Sequence, residues 1–120
     1  MPQYHVAIGG FRLRHPLLLP AFSAYAVASM RQARAAPGNV HAAARMADGR
    51  YFSLSVWDSP AAMRRFAQGG AHRRAMNAAS WLGDGPFAHF KSAAIPEWDE
   101  ALAEWRIHHA KGVSAPAPAG

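Results

Sequence analysis

YFSLSVWDSPAAMRRFAQGGAH, residues 51–72, contains the local signals that decide the fold. Its first part alternates larger apolar side chains with small ones up to Trp57, which is typical of a β-strand. Ser59-Pro60 supplies a favourable N-cap followed by a proline at the first helical position. Gly69-Gly70 interrupts that helix, and His72 lies at the start of the next one. The stretch therefore predicts a strand, a short helix, a glycine break and a second helix.

The segments on either side of this stretch complete a recognisable order of elements. Periodicity and turn residues predict strand 4–14, helix 17–36, strand 40–47, strand 50–57, helix 60–68, helix 71–79, strand 87–94 and helix 97–109. Asp48-Gly49 predicts a hairpin between the second and third strands. The order is β-α-β-β-α-β with a C-terminal helix, which is the ferredoxin-like α+β arrangement with a four-stranded antiparallel sheet. The second and fourth strands are expected at its two edges.

Two local features refine this prediction. The apolar phase of the first strand changes between Ile8 and Phe11, across Gly9-Gly10, and such a change predicts a β-bulge or a bend. At the other end, residues 111–120 contain small residues and prolines without an apolar period. The chain is therefore expected to form one domain over residues 1–110, followed by a disordered tail over residues 111–120.

Composition excludes several classes of function. The chain has no cysteine, which rules out disulfides, thiol catalysis and cysteine-ligated metal and makes a cytoplasmic location the expectation. No apolar run has the length of a bilayer span, so no membrane association is expected. Lys and Arg number 13 against 7 acidic residues, for a net charge of +6, but they occur in scattered pairs instead of one stripe. We expect neither nucleic-acid binding nor a metal site, because no binding motif and no ligand spacing is present.

The two faces of the third strand differ in character. Phe52, Leu54 and Val56 share one face, while Tyr51 and Trp57 share the other with small serines. An aromatic face of this kind is a poor surface to leave in water. We therefore expect it to pack against the same face of a second copy, as a homodimer joined through its sheet faces.

Three motifs in this half of the chain resemble a known family. Residues 54–59 (LSVWDS), 62–66 (AMRRF) and 70–73 (GAHR) are similar in order and spacing to the dimeric α+β barrel superfamily, and residues 77–90 resemble its second half. This group contains the antibiotic biosynthesis monooxygenases, and the likeness is to the spheroidene monooxygenase-like branch. It covers about residues 4–95. The resemblance implies a dimeric barrel and monooxygenase chemistry, with either no cofactor or haem.

His72 is the candidate for a catalytic or cofactor-binding side chain. It follows two glycines, where the backbone can approach a ligand closely, and a helix start favours a neutral imidazole. Neutral imidazole can act as a general base, or as the iron ligand if haem is bound. The alternative is that His72 only caps the helix or binds a backbone carbonyl.

Apolar and aromatic side chains on the strands and helices are the candidate substrate-binding residues. They are Trp57, Phe66, Phe22, Tyr25 and Met63. Their spacing fits the packed core between the sheet and its helices equally well, so core and pocket wall are both open interpretations.

Two main functions follow from these features. The first is a small monooxygenase-like enzyme that takes an apolar or aromatic molecule into a pocket between sheet and helices. The second is a non-catalytic, dimeric binding module for a hydrophobic metabolite or haem. A purely structural dimer, with its pocket filled by side chains, is a third possibility.

Overall fold

The computed structural model of the chain describes residues 3–114. In chain order, its elements are β1 (Tyr4–Leu13), α1 (Leu19–Ala35), β2 (Asn39–Ala47), β3 (Arg50–Trp57), α2 (Pro60–Ala67), α3 (Gly70–Leu82), β4 (Gly83–Asp84), β5 (Phe87–Ser92) and α4 (Trp98–Ser114). A short 3-10 turn precedes α1. The predicted β-α-β-β-α-β order with a C-terminal helix is confirmed.

The strands form one antiparallel sheet in the order expected of a ferredoxin-like fold. β2 pairs with β3, β3 with β1, and β1 with both β4 and β5. β4 pairs with the end of β1 and β5 with its beginning, so the two short strands occupy the same edge. β5 lies within the predicted strand 87–94, whereas β4 precedes that strand and was not predicted. Pro86, which has no N–H to donate, lies between the two.

The hairpin between β2 and β3 has the predicted tight turn. Ala47 pairs with Arg50, which leaves Asp48 and Gly49 as a two-residue loop. Both loop residues have positive φ, 51° and 73°. This is the conformation that matches the twist of the strands, and an Asp-Gly pair adopts it readily.

Of the two irregularities predicted at Gly9-Gly10 of β1, a bulge or a bend, the β-bulge is wrong. The ladder between β1 and β3 runs without a shift from His5 opposite Trp57 to Phe11 opposite Tyr51. The glycines of β1 instead make room for aromatic rings: a Cβ on Gly10 would lie 2.6 Å from a ring carbon of Phe52. The apolar side chains before the glycines lie on one face of the sheet, and Phe11 after them lies on the other. The apolar phase changes because both faces are covered by helices.

Helices cover both faces of the sheet. One face packs against α4, and the cluster there comprises Val6, Ile8, Phe52, Leu54, Val56, Ala88, Ala101, Leu102 and Trp105. The other face lies under α1, α2 and α3, and the cluster there comprises Ala33, Ala42, Trp57, Ala62 and Phe66.

This arrangement corrects the reason given for a homodimer. The face with Tyr51 and Trp57 was expected to be open and to need a second copy, but the chain's own helices lie over it. The opposite face is covered by α4, whose Trp105 meets the ring of Phe52 edge-on at 4.9 Å. Trp105 also donates from Nε1 to the carbonyl of Pro86 at 3.0 Å, which ties α4 to the sheet edge.

The C-terminal helix is longer than predicted. It continues beyond His109 to Ser114, because nothing in that stretch lacks a backbone N–H until Pro116. The rest of the predicted tail, 115–120, lies outside the described residues, so the division at residue 110 stays a prediction. No helix in residues 3–114 combines the length and apolar character needed to span a bilayer.

Candidate functional site

A large cavity lies between the sheet and its three-helix face. Its volume is about 960 Å³. The floor is the β-sheet surface that carries Ala7, Gly9, Ser53 and Ser55, whose small side chains leave space above the backbone. α1 and α3 form the roof. A cavity of this size falls within the range of small-molecule sites.

The apolar stripe of α1 lines this cavity. Phe22, Tyr25, Ala26 and Met30 have the helical spacing of a packing face, yet all four are only half-buried, and Ala33 is the one buried residue of the helix. These side chains therefore contact the sheet with part of their surface and face the cavity with the rest. The structure assigns the predicted residues Phe22 and Tyr25 to the cavity wall.

Aromatic rings close one end of the cavity. Phe11 of β1 and Phe22 stack with their centroids 5.1 Å apart, and Tyr51 of β3 lies 4.9 Å beyond Phe22. The three rings come from a strand, a helix and a second strand, so no local pattern in the sequence joins them. Phe11 was missed as a site residue for that reason.

His72 and Phe66 lie together on the wall formed by α2 and α3. Their rings are 4.5 Å apart and tilted by 57°. Both residues line the cavity, as does Met63 one turn earlier in α2. The structure therefore brings together the predicted residues His72, Phe66, Met63, Phe22 and Tyr25.

The environment of His72 favours a neutral imidazole. Burial lowers the pKa of His72 below its ordinary value, and the hydrogen bond to Ala67 opposes this shift. Its Nδ1 lies 3.3 Å from the carbonyl oxygen of Ala67. Because a carbonyl only accepts, we assign the proton to Nδ1, which leaves the lone pair on Nε2. The ring is thus prepared to accept a proton or to bind a metal ion.

Gln32 of α1 holds the backbone at His72. Its Oε1 accepts a hydrogen bond from the N–H of His72 at 2.7 Å, and its Nε2 donates to the carbonyl of Phe66 at 3.1 Å. Sequence reasoning missed this residue, because a single glutamine on a helix face has no distinctive local signal. Only the crossing of α1 over the break between α2 and α3 gives it a role.

Trp57 lies outside the cavity lining, contrary to the prediction that it forms a wall. It is fully buried behind Phe66, on which it stacks at 5.0 Å. Its Nε1 has no hydrogen-bond partner in the part of the chain that the structure describes. Trp57 supports the ring of Phe66 from behind and does not face a ligand.

The cavity lining is apolar and lacks acidic residues. Its polar side chains are Ser23, Tyr25, Ser29, Arg31, Arg34, Arg45, Tyr51, Ser53, Ser55, His72 and His89. Tyr25, Tyr51 and Ser55 are among the residues that could supply a second polar group. Arg31 and Arg34 form no ion pair with a carboxylate of residues 3–114. The lining therefore suits a neutral or acidic ligand with a large apolar body.

The side chains that line the cavity fit haem better than an isolated metal ion. No group of three or more histidine and acidic side chains comes together within residues 3–114. His72 is held through Nδ1 by a backbone carbonyl, as metal-ligating histidines are, and the apolar ring of Phe66 lies 4.5 Å from its imidazole. His72 would hold the iron, and haem would supply oxygen activation there.

Comparisons with known proteins identify the fold. No family model matches the chain, and no curated protein matches it in sequence. Solved structures do match over most of its length. Rv0793 from Mycobacterium tuberculosis is 18% identical with a TM-score of 0.66, over 79% of this chain and 98% of that one.

Two further structures carry a functional name. SnoaB from Streptomyces nogalater, a cofactor-independent oxygenase, is 19% identical with a TM-score of 0.63, over 79% of this chain and 99% of that one. An antibiotic biosynthesis monooxygenase is 12% identical with a TM-score of 0.63, over 77% of this chain and 99% of that one. The chain therefore shares the ferredoxin-like α+β fold of these proteins, which is the fold that the sequence resemblance implied. Membership of the antibiotic biosynthesis monooxygenase-like superfamily stays a prediction. The spheroidene monooxygenase-like branch stays a prediction.

Proposed function

We propose that this protein is a small monooxygenase-like enzyme that oxidises an apolar or aromatic molecule held in the cavity between the sheet and α1–α3. The observation that carries the proposal is the position of His72, a half-buried imidazole with lowered pKa in the wall of an apolar cavity of about 960 Å³. A collapsed, purely structural dimer is disfavoured, because side chains leave that volume open.

His72 would act as a general base. A methylene group between two aromatic rings that are conjugated with a carbonyl is acidic enough for imidazole to remove a proton, and Nε2 of His72 is the free acceptor. The resulting carbanion gives its electrons to dioxygen and forms a C–O bond to a peroxide. The peroxide takes up a proton and loses water, which leaves a carbonyl, so that CH₂ and O₂ become C=O and H₂O. The apolar lining excludes water from the carbanion.

The experiment uses anthrone as the probe, because it is a planar aromatic ketone with an acidic methylene. We expect anthraquinone formation with one O₂ consumed per turnover. His72→Ala is expected to lower the rate of this reaction by about 10²-fold or more, the usual loss for a general base. Unchanged turnover in His72→Ala would refute the assignment of the base.

A matched pair of variants on α1 tests the cavity itself. Ala26 lines the cavity, whereas Ala28, on the same helix, is exposed and outside the lining. Ala26→Trp is expected to abolish anthrone binding and turnover, while Ala28→Trp leaves both unchanged. If the two variants behave alike, the substrate does not occupy this cavity.

The second candidate is a binding module for haem or a hydrophobic metabolite, and the observation that favours it is the orientation of His72 through Nδ1. Haem titration of the apo-protein tests it directly. A Soret band that saturates at one haem per subunit and is lost in His72→Ala supports a haem protein. Absence of a specific band, together with anthrone turnover, supports the cofactor-free enzyme.

The homodimer and the cytoplasmic location stay predictions. Because both sheet faces are covered within one chain, a homodimer would have to use other surfaces or displace part of α4. Sedimentation velocity of the wild-type protein distinguishes a dimer from a monomer.

A further inference from the structure

We propose that Gln32 is a positioning residue that holds His72 in the cavity wall, and that position 69 is a glycine because the Gln32 side chain occupies the space beside it. The proposal rests on the role of His72 proposed above. The positioning of His72 by Gln32 is tested without any activity measurement. The positioning and the catalytic role of His72 can therefore fail separately.

Gln32 connects three helices through one side chain. From α1, its Oε1 accepts from the backbone N–H of His72 in α3, and its Nε2 donates to the carbonyl of Phe66 in α2. The two bonded groups lie on opposite sides of the Gly69-Gly70 break. Gln32 therefore bonds the end of α2 and the start of α3 at the same time.

α3 has no N-cap side chain of its own. Its N-cap residue is Gly69, and no side chain there accepts from the first turn. The N–H of His72, at the third helical position, is the group that a Ser or Asp at the N-cap would normally bind. In α2, Ser59 fills that role and accepts from Ala62 at 3.1 Å. In α3, Gln32 replaces the missing cap from a different helix.

Gly69 is explained by space and not by backbone conformation. Its φ is −78°, which any residue adopts. A Cβ at this position would lie 2.0 Å from Nε2 of Gln32 and 3.1 Å from its Cδ. A side chain on residue 69 would therefore require the Gln32 amide to move, and with it the two hydrogen bonds that this amide forms.

The two hydrogen bonds of Gln32 affect the position of the His72 imidazole. The ring is located by two contacts with α2, the carbonyl of Ala67 at 3.3 Å and the ring of Phe66 at 4.5 Å. Both contacts require that the start of α3 keep its place against the end of α2. Gln32 is the side chain that hydrogen-bonds to the end of α2 and to the start of α3. Its loss therefore frees the imidazole to leave the cavity wall.

The experiment separates positioning from simple helix capping. Gln32→Ala removes both the cap and the link between the helices. The double variant Gln32→Ala/Gly69→Ser adds a serine that can cap α3 but leaves the link to α1 absent. With Gln32 removed, the Cβ of this serine no longer meets the amide, and its nearest contact is the carbonyl oxygen of Phe66 at 3.2 Å. Gln68→Ala is the matched control, because Gln68 is exposed and its side chain forms no hydrogen bond in residues 3–114.

Two measurements report on the position and the catalytic role of His72. The Cε1–H resonance of its ring is displaced by the ring current of Phe66, and kcat and KM for anthrone are measured separately. In Gln32→Ala we expect the resonance to move to its free-histidine position and kcat to fall about ten- to a hundredfold with little change in KM, because misplacement of a reacting group costs that much. Tm is expected to fall by roughly 5 °C, the effect of a lost cap in a domain of this size.

The double variant decides between the two roles. Recovery of Tm with the resonance and kcat still altered supports positioning. Recovery of Tm together with the resonance and kcat shows that Gln32 is only a cap, and overturns the proposal. An unmoved His72 resonance in Gln32→Ala also overturns it. If instead the resonance moves but His72→Ala retains full turnover, the positioning stands and the proposed catalytic role of His72 fails.

Discussion

The two buried tryptophans of this protein provide a matched test of its core. Trp57 is 0% exposed and Trp105 is 6% exposed. Each contacts an aromatic ring at about the same distance, 5.0 Å to Phe66 and 4.9 Å to Phe52. They differ at the indole N–H: Trp105 donates to a carbonyl at 3.0 Å, whereas Trp57 has no partner within residues 3–114. The perturbation is Trp→Phe at each position.

The polar terms decide the difference in stability between the two variants. The loss of apolar area and the void left by the smaller ring are similar in both, so they largely cancel. Trp105→Phe also loses a hydrogen bond, which contributes about 1 kcal/mol, although the carbonyl of Pro86 keeps its bond from the N–H of Gly10 at 3.1 Å. Trp57→Phe instead removes an unpaired buried donor, which costs about 1–3 kcal/mol while it is present.

Trp105→Phe is therefore expected to be the more destabilising variant by about 3 kcal/mol. The guanidinium of Arg50 lies 5.4 Å from the centre of the Trp105 ring, and weakening this cation–π contact adds to the loss expected for Trp105→Phe. The free energy of unfolding is measured by urea denaturation, with Trp81→Phe as the control because Trp81 is 48% exposed. Equal losses, or a larger loss for Trp57→Phe, would refute the reasoning from the indole N–H.

Three further predictions concern titration, close packing and capping. Burial lowers the pKa of His72 in the folded protein, so the unfolded chain binds more protons over this pH range. The stabilisation from neutral His72 is therefore complete above the pKa of the unfolded state. It is lost as the pH falls towards the pKa of the folded state. NMR titration measures that pKa, and urea unfolding across the same pH range measures the loss. Gly10→Ala is expected to cost about 1–3 kcal/mol by overpacking against Phe52, whereas Gly70→Ala, which meets only a flexible side chain, costs little. Ser59→Ala is expected to cost about 1 kcal/mol through the lost cap of α2.

Each of these predictions has a contradicting result. A His72 pKa at or above that of an unfolded histidine would mean that the imidazole is solvated. Equal effects of Gly10→Ala and Gly70→Ala on the urea midpoint would show that the neighbouring rings move aside for a methyl group at residue 10 without cost. No change in the midpoint of Ser59→Ala would mean that water replaces the cap.

The order of elements could be predicted because its signals are local. The N-cap at Ser59, the turn at Asp48-Gly49 and the alternation of β3 each act over a few residues, and all three occur as expected. The grouping of His72 with Phe66 was also within reach, since only the Gly69-Gly70 break separates α2 from α3. These features depend on backbone preferences that a short window of sequence contains.

Other features depend on distant segments. The phase change at Gly9-Gly10 was interpreted as a bulge or a bend, because the sequence does not indicate that Phe52 and Trp105 approach Gly10 from elsewhere in the chain. The face with Tyr51 and Trp57 was assigned to a partner subunit, because the sequence does not indicate which face of the sheet each helix covers. The position of α4 on the opposite face follows from packing alone.

By itself, the sequence determined the α+β class, the ferredoxin-like order of strands and helices, and His72 as the candidate functional side chain. Tertiary structure decided that the apolar stripe of α1 lines a cavity, that Trp57 lies behind its wall, and that Gln32 caps α3 from another helix. The physical reason is the range of the interactions. Hydrogen-bonding and steric preferences of the backbone act between near neighbours, whereas a cavity and its supports form only where remote side chains meet and leave space between them.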